Sequence, residues 1–150
     1  MTEPFPQPRN TGQVRPHIVF AGAGHAGLIA LAHLHRHSGL NADVTLVSAG
    51  EQAHYSGMVP GWIEGLYAQR DMTIPLSPLA TRWGLTLKIA TIEGADEAAL
   101  HTSDGAVPYD LLVVNTGADA ARPGVLDSAT VIPAKPFSKL IAGLSPQLGT

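Results

Sequence analysis

Three glycines, Gly22, Gly24 and Gly27, stand in the run HIVFAGAGHAGLIALAHL, between an apolar stretch and a helical pattern. Their G-x-G-x-x-G spacing can seat a dinucleotide pyrophosphate. The first glycine permits a sharp strand-to-helix turn, the second lets the backbone approach the phosphates, and the third brings helix and strand together. The helix start, at His25 and Ala26, would offer free N–H groups and the positive end of its dipole to the anion. A tight turn that holds nothing can carry the same glycines, but the strand, helix and strand around them favour the nucleotide loop. A carboxylate is expected about 20 residues further on, for the ribose. Ser48 stands there instead, with Glu51 three residues beyond as a substitute.

Other chemistry is thin. His33 and His37 share the i, i+4 spacing of a metal pair, but the helix supplies no third ligand, so they read as a solvated face and no metal site is expected. There is no cysteine, which excludes a disulfide, a thiolate metal site and a redox-active dithiol. No catalytic triad, carboxylate dyad or nucleophile elbow is visible, and no catalytic residue is assigned.

These residues need a frame. The apolar run at 17–21 predicts a buried strand. Leu28, Leu31 and Leu34, with Ala32, predict a helix over 25–37, ended by Ser38-Gly39. The run DVTLV at 43–47 predicts a second buried strand, parallel to the first by the crossover rule. Residues 48–85 are rich in Gly, Pro and aromatics, with a short helix expected at 76–83. Strands are expected at 85–92, 98–103 and 106–115, the last two joined by a tight turn at Asp104-Gly105. Pro4, Pro6, Pro8 and Pro16 among polar neighbours mark residues 1–16 as a disordered tail. Residues 17–143 then form the domain, and 144–150 a truncated tail or the start of a linker.

The chain has 150 residues, 45% of them hydrophobic and 14% charged, with a net charge of −3. That suits one globular domain and argues against a nucleic-acid surface. No apolar run approaches the roughly 20 residues of a membrane span. Without a signal pattern at the N-terminus, a cytoplasmic location is expected, with a membrane-peripheral position of the complete protein as the alternative.

The segment YDLLVVNTGA at 109–118 adds a second motif. A Tyr-Asp pair before an apolar strand ending in Thr-Gly resembles the YD-x-L-[VI]-[VIL]-A-T-G signature of the two-dinucleotide-binding-domain flavoproteins, the pyridine nucleotide-disulfide oxidoreductase-like family. HYSGMVPGWIEGLY and DMTIPLSPLA are similar to its type II NADH dehydrogenase-like branch, which is also fused to some selenide, water dikinases. The resemblance spans residues 17 to about 143. It implies an α/β, Rossmann-type FAD/NAD(P)-binding domain, a parallel sheet with a small antiparallel β-meander.

The resemblance implies a set of FAD contacts. Gly22, Gly24 and Gly27 would cradle the pyrophosphate, with backbone contacts from His25 and Ala26. Ser48 would sit at the ribose, Thr91 and Ile92 at the adenine, and Thr116 and Gly117 beside the FAD. Tyr55 to Pro60 would approach the flavin ring, while Trp62 and Tyr67 are expected to pack the crossover rather than touch flavin or substrate. Asn115 stands where the family has alanine. NAD(P)H would be the co-substrate of the complete protein, and a quinone or another small-molecule acceptor would take the electrons.

Family members continue into an NAD(P)H domain and return with a Gly-Asp segment, neither of which follows Gly117 here. Lys135-Pro136-Phe137 reads as a loop towards the missing domain. The fold is therefore expected to be incomplete, with weak or absent FAD binding and no turnover by this chain alone. A non-catalytic dinucleotide-binding module and one chain of a split flavoenzyme are the alternatives.

Overall fold

The computed structural model describes residues 15–37, 41–117, 132, 135 and 137–148. In chain order these form β1 (His17–Ala21), α1 (His25–Arg36), β2 (Asp43–Ser48), β3 (Gln52–His54), α2 (Val59–Ile63), β4 (Thr73–Pro75) and α3 (Leu76–Trp83). There follow β5 (Thr86–Ile89), β6 (Ile92–Ala95), β7 (Ala99–Thr102), β8 (Gly105–Pro108), β9 (Leu111–Val114) and α4 (Phe137–Leu148). Strands β5, β2, β1 and β9 form a four-stranded parallel sheet in that order. Strands β6, β7 and β8 form an antiparallel meander, and β3 and β4 a two-stranded ribbon.

The apolar run of β1 is continuous because both of its faces are covered. Ile18, Phe20 and Leu46 pack with Leu28 and Leu31 of α1 and Leu76 of α3. Val19, Ala21 and Val47 point to the other face and pack with Ala90, Leu100 and Val107. Helices therefore cover one face of the sheet and the meander the other. A third cluster joins Trp62 and Met72 to Ile141 of α4.

The strand at 17–21 and the helix at 76–83 fall where the sequence places them, the latter closed by Gly84 in the left-handed region. The turn at Asp104-Gly105 is also found, with Thr102 paired to Gly105 and Gly105 at φ +88°. Two strands expected as single runs are each divided. Residues 85–92 break after β5. There the Ala90 N–H donates to the Ser48 carbonyl (2.9 Å) and Thr91 turns to pair with Ser103. Residues 106–115 break at Tyr109-Asp110. The Asp110 carboxylate accepts from the His17 N–H (2.6 Å), and the Asp110 N–H donates to the His17 carbonyl (2.9 Å). The Tyr109 hydroxyl donates to the Asp96 carbonyl. The Tyr-Asp pair is thus the joint between the meander and the parallel sheet.

Of the expected tail at 1–16, Arg15 and Pro16 are described, and both are tied to the body of the fold. The Arg15 guanidinium donates to the Ala42 carbonyl (2.8 Å) and pairs with Asp43 (3.4 Å), and the Pro16 carbonyl accepts from the Asp43 N–H. Residues 1–14 lie outside those described. At the other end, Phe137 opens α4 rather than lying in a loop, and the expected boundary at 143 falls inside this helix. Ile141, Leu144 and Leu148 recur at helical spacing and join the Trp62 cluster.

Two exposed carboxylates tie the meander together. Asp96 accepts from the Ala98 and Ala99 N–H groups (2.9 Å each) and contacts the His101 ring (2.8 Å). The Ala98 N–H, then His101, hold its carboxyl below the ordinary 3.8. Asp104 is lowered likewise by the Lys88 ammonium, 2.7 Å away. A carboxyl depressed in the folded state stabilises that state above its unfolded value and loses the contribution as pH falls through its folded value. Melting temperatures should therefore be flat above about pH 5 and fall below about pH 4. Circular dichroism melts from pH 6 to 2.5 check this: Asp96→Asn with Asp104→Asn should flatten the acid limb, and an unchanged limb would refute the assignment.

Candidate functional site

The carboxyl ends of the parallel strands converge on the glycine loop, which is where open α/β sheets take ligands. Gly22 follows β1 with φ +96°, and its N–H donates to the Val47 carbonyl (2.8 Å). A Cβ there would overlap the Asn115 carbonyl oxygen and lie 2.6 Å from the Thr116 Cα. Only glycine allows both this φ and this approach. The end of β9 lies against the loop because the Asn115 N–H donates to the Ala21 carbonyl (2.7 Å), which extends the β1–β9 ladder by one residue.

Gly24 is the N-cap of α1 and supplies no side-chain cap, and the first turn holds no acidic residue. Among the described residues, neither the N-cap nor the first turn therefore sets an anion against the opening N–H groups of α1. His25 and Ala26 are exposed, whereas Gly27 is buried. A Cβ on Gly24 would lie 2.6 Å from Asn115 Oδ1, and one on Gly27 would lie 2.7 Å from Asn115 Nδ2. The His25 ring stacks on Tyr55, with centroids 4.7 Å apart and planes 24° apart. Tyr55, from the segment after β3, thus stands at the mouth of the loop.

The other expected residues surround this centre at varying distance. Ser48 ends β2 and is buried. Its hydroxyl donates to the Gly50 carbonyl (2.9 Å) and accepts from the Gly50 N–H (3.4 Å), so it is bonded to its own turn. Glu51 is exposed, and its carbonyl accepts from the Leu76 N–H. Thr91 follows β5 and is paired with Ser103 through both its N–H (3.0 Å, to Oγ) and its carbonyl (2.9 Å). Ile92 is paired with Thr102 in the meander. Thr116 and Gly117 are exposed beside the loop, Gly117 at φ +80°. The structure therefore brings Gly22, Gly24, Gly27 and Thr116 together, with Ser48 and Thr91 at the ends of neighbouring strands.

Trp62 is buried with Met72 and Ile141, which makes it a packing residue. Tyr67 is 42% exposed and lies against Gly61. The His33 and His37 rings are 4.2 Å apart. Among the described residues no three His, Asp or Glu groups are placed to hold a metal. A cavity of about 430 Å³ lies at the opposite end of the sheet, between the last turns of α1 and α3, lined by Leu31, Leu34, Trp83 and Leu85.

Two features of the site escaped the sequence. The i-to-i+30 stack of His25 on Tyr55 has no local signal. The contact of Asn115 with both Gly24 and Gly27 was marked only by an asparagine where the motif has alanine.

This arrangement is the Rossmann-type FAD/NAD(P)-binding fold of pyridine nucleotide-disulfide oxidoreductase-like flavoproteins. Among solved structures the chain is similar to the sulfide:quinone oxidoreductase of the hyperthermophilic bacterium Aquifex aeolicus, with a TM-score of 0.70 and 25% identity over 88% of this chain. It is similar in fold to putidaredoxin reductase in its covalent complex with putidaredoxin (TM-score 0.63, 21% identity, 78% of this chain). The same holds for the ferredoxin reductase of the CYP199A2 system from Rhodopseudomonas palustris (TM-score 0.63, 17% identity, 89% of this chain). The chain spans 32%, 29% and 35% of these three proteins, respectively. No protein-family model and no curated protein matches the sequence. Among the described residues no helix is long and apolar enough to cross a membrane.

Proposed function

We propose that this chain is the FAD-binding portion of an NAD(P)H-dependent flavoprotein oxidoreductase that passes electrons to a quinone or another small acceptor, located in the cytoplasm. The observation that carries this reading is the uncapped N-terminus of α1, set behind three glycines and against Thr116. That donor set fits a diphosphate: N–H groups without a side-chain cap, a helix dipole and no acidic residue in the first turn. The opening N–H groups at His25, Ala26 and Gly27 bind the phosphates. The stacked rings of His25 and Tyr55 bound the site on one side. Thr116 and Gly117 close it from β9, and Ser48 and Thr91 lie towards the adenosine end. FAD, when bound, would supply the redox chemistry, which the protein orients and tunes.

One further observation suits both a longer flavoprotein and the split-enzyme alternative. Among the described residues β9 has one strand neighbour, and its Leu111 and Val114 are 51% and 69% exposed. A strand from outside these residues would complete that edge.

The test is a flavin-fluorescence titration of the full chain. We expect saturable binding in the range of about 10–100 µM, weak because the chain spans about a third of the solved structures it resembles, and displaced by ADP, which shares the diphosphate. Binding that ADP leaves untouched would overturn the proposal, as would fluorescence that saturates for no folded form of the chain.

A further inference from the structure

The faces left open by Gly24 and Gly27 are filled in this chain. The Asn115 side-chain amide places Oδ1, Cγ and Nδ2 at 2.6–2.7 Å from where a Gly24 Cβ would stand. Its Nδ2 reaches equally close to the corresponding point on Gly27. In a glycine loop the second glycine is bare so that the backbone can approach a pyrophosphate. Here that bare surface is in contact with an asparagine amide. Either orientation of the amide fills the same space.

The amide is poorly held there. Asn115 Nδ2 is buried and has no hydrogen-bond partner among the described residues. A buried donor without an acceptor is destabilised relative to the same group in water or against an anion. Packing alone keeps the side chain in the loop. An alanine at this position, as in the motif that 109–118 resembles, would have no amide to place there.

We propose that Asn115 is a gate residue: its amide occupies the Gly24 face of the glycine loop and must turn away before a dinucleotide pyrophosphate can seat. The proposal rests on the FAD reading of the loop. It makes Asn115 a positioning residue that sets affinity. The second and third glycines then have two roles, one towards the ligand and one towards Asn115.

The experiment compares FAD affinity, by fluorescence titration of the full chain, for the wild type, Asn115→Ala and Asn115→Leu. Urea unfolding of each confirms that it is folded. Asn115→Ala removes the amide and should bind FAD about tenfold more tightly. Asn115→Leu keeps the bulk and removes the polarity, and should bind no more tightly than the wild type. Asn115→Ser, shorter and still polar, should share the gain and serves if Asn115→Ala fails to fold. If the wild type binds FAD and the two shortened variants bind equally or more weakly, the gate is refuted and the FAD reading stands. Tightening in Asn115→Leu would also refute it, because bulk would not then be the obstacle. If no folded variant binds FAD, the FAD reading fails and the gate with it. Binding by Asn115→Ala alone would support both.

Discussion

Replacing Gly22 with alanine is expected to lower stability by about 3–5 kcal/mol, among the largest effects of any single substitution in the chain. Two costs act together. Gly22 holds φ +96°, a conformation that strains a side-chain-bearing residue by about 1–3 kcal/mol. The new methyl would also meet backbone atoms of Asn115 and Thr116, which cannot rotate aside as a side chain could. Relief requires β9 to move away from β1, which opens the ladder bond from the Asn115 N–H to the Ala21 carbonyl. Gly105 is the control. It has φ +88° with nothing within 4 Å of its Cβ position, so Gly105→Ala should show the conformational cost alone, about 1 kcal/mol. Urea unfolding followed by tryptophan fluorescence measures both. A Gly22→Ala cost no larger than that of Gly105→Ala would mean that the approach of β9 to the loop is not as described.

The second large effect is expected at Trp62. Its side chain is 2% exposed and packs with Met72, 0% exposed, and Ile141 of α4. Trp62→Ala should destabilise by about 3–5 kcal/mol, the transfer term plus the cavity left behind. The loss should concentrate where the cluster is: hydrogen exchange in α4 should accelerate markedly, while exchange in β1 and β2, which belong to other clusters, changes less. Trp62→Phe should cost far less, about 1 kcal/mol, because the indole Nε1 is buried without a partner and its removal breaks no hydrogen bond. Equal acceleration across the sheet and α4 would show that the Trp62 cluster is not a separate unit of the core.

Much of this frame is legible in the sequence because its elements carry local marks. The helix over Leu76–Trp83 ends at Gly84, whose left-handed conformation stops a helix at little cost. The glycine loop announced itself through spacing and context. The divided strands carried no such mark. Leu85, Leu87 and Ile89 alternate with Thr86 and Lys88 in a strand pattern that Ala90 does not interrupt, and what separates β5 from β6 is a bond from Thr91 to Ser103, twelve residues away. The division at Tyr109-Asp110 likewise depends on His17, 93 residues earlier. Helix α4 was missed because its apolar face becomes meaningful only beside Trp62 and Met72. At the site, residue types suggested the ligand-facing groups, but Ser48 spends its hydroxyl on Gly50 and Thr91 its backbone on Ser103, choices set by neighbours in space.

The position of β1 between β2 and β9 has a kinetic consequence. β2 follows β1 after a single helix, and the meander is built from hairpin neighbours, so both can form from contacts close in sequence. β9 is different: its Asp110 must find His17 across 93 residues. Closing so long a loop is entropically unfavourable, and folding slows as contacts grow more distant along the chain. The strand that completes the glycine loop therefore makes the most distant pairing of the parallel sheet and is expected to be the last of its strands to be placed. The glycine loop is consequently expected to reach its final form late, after β1 and β2 have already paired.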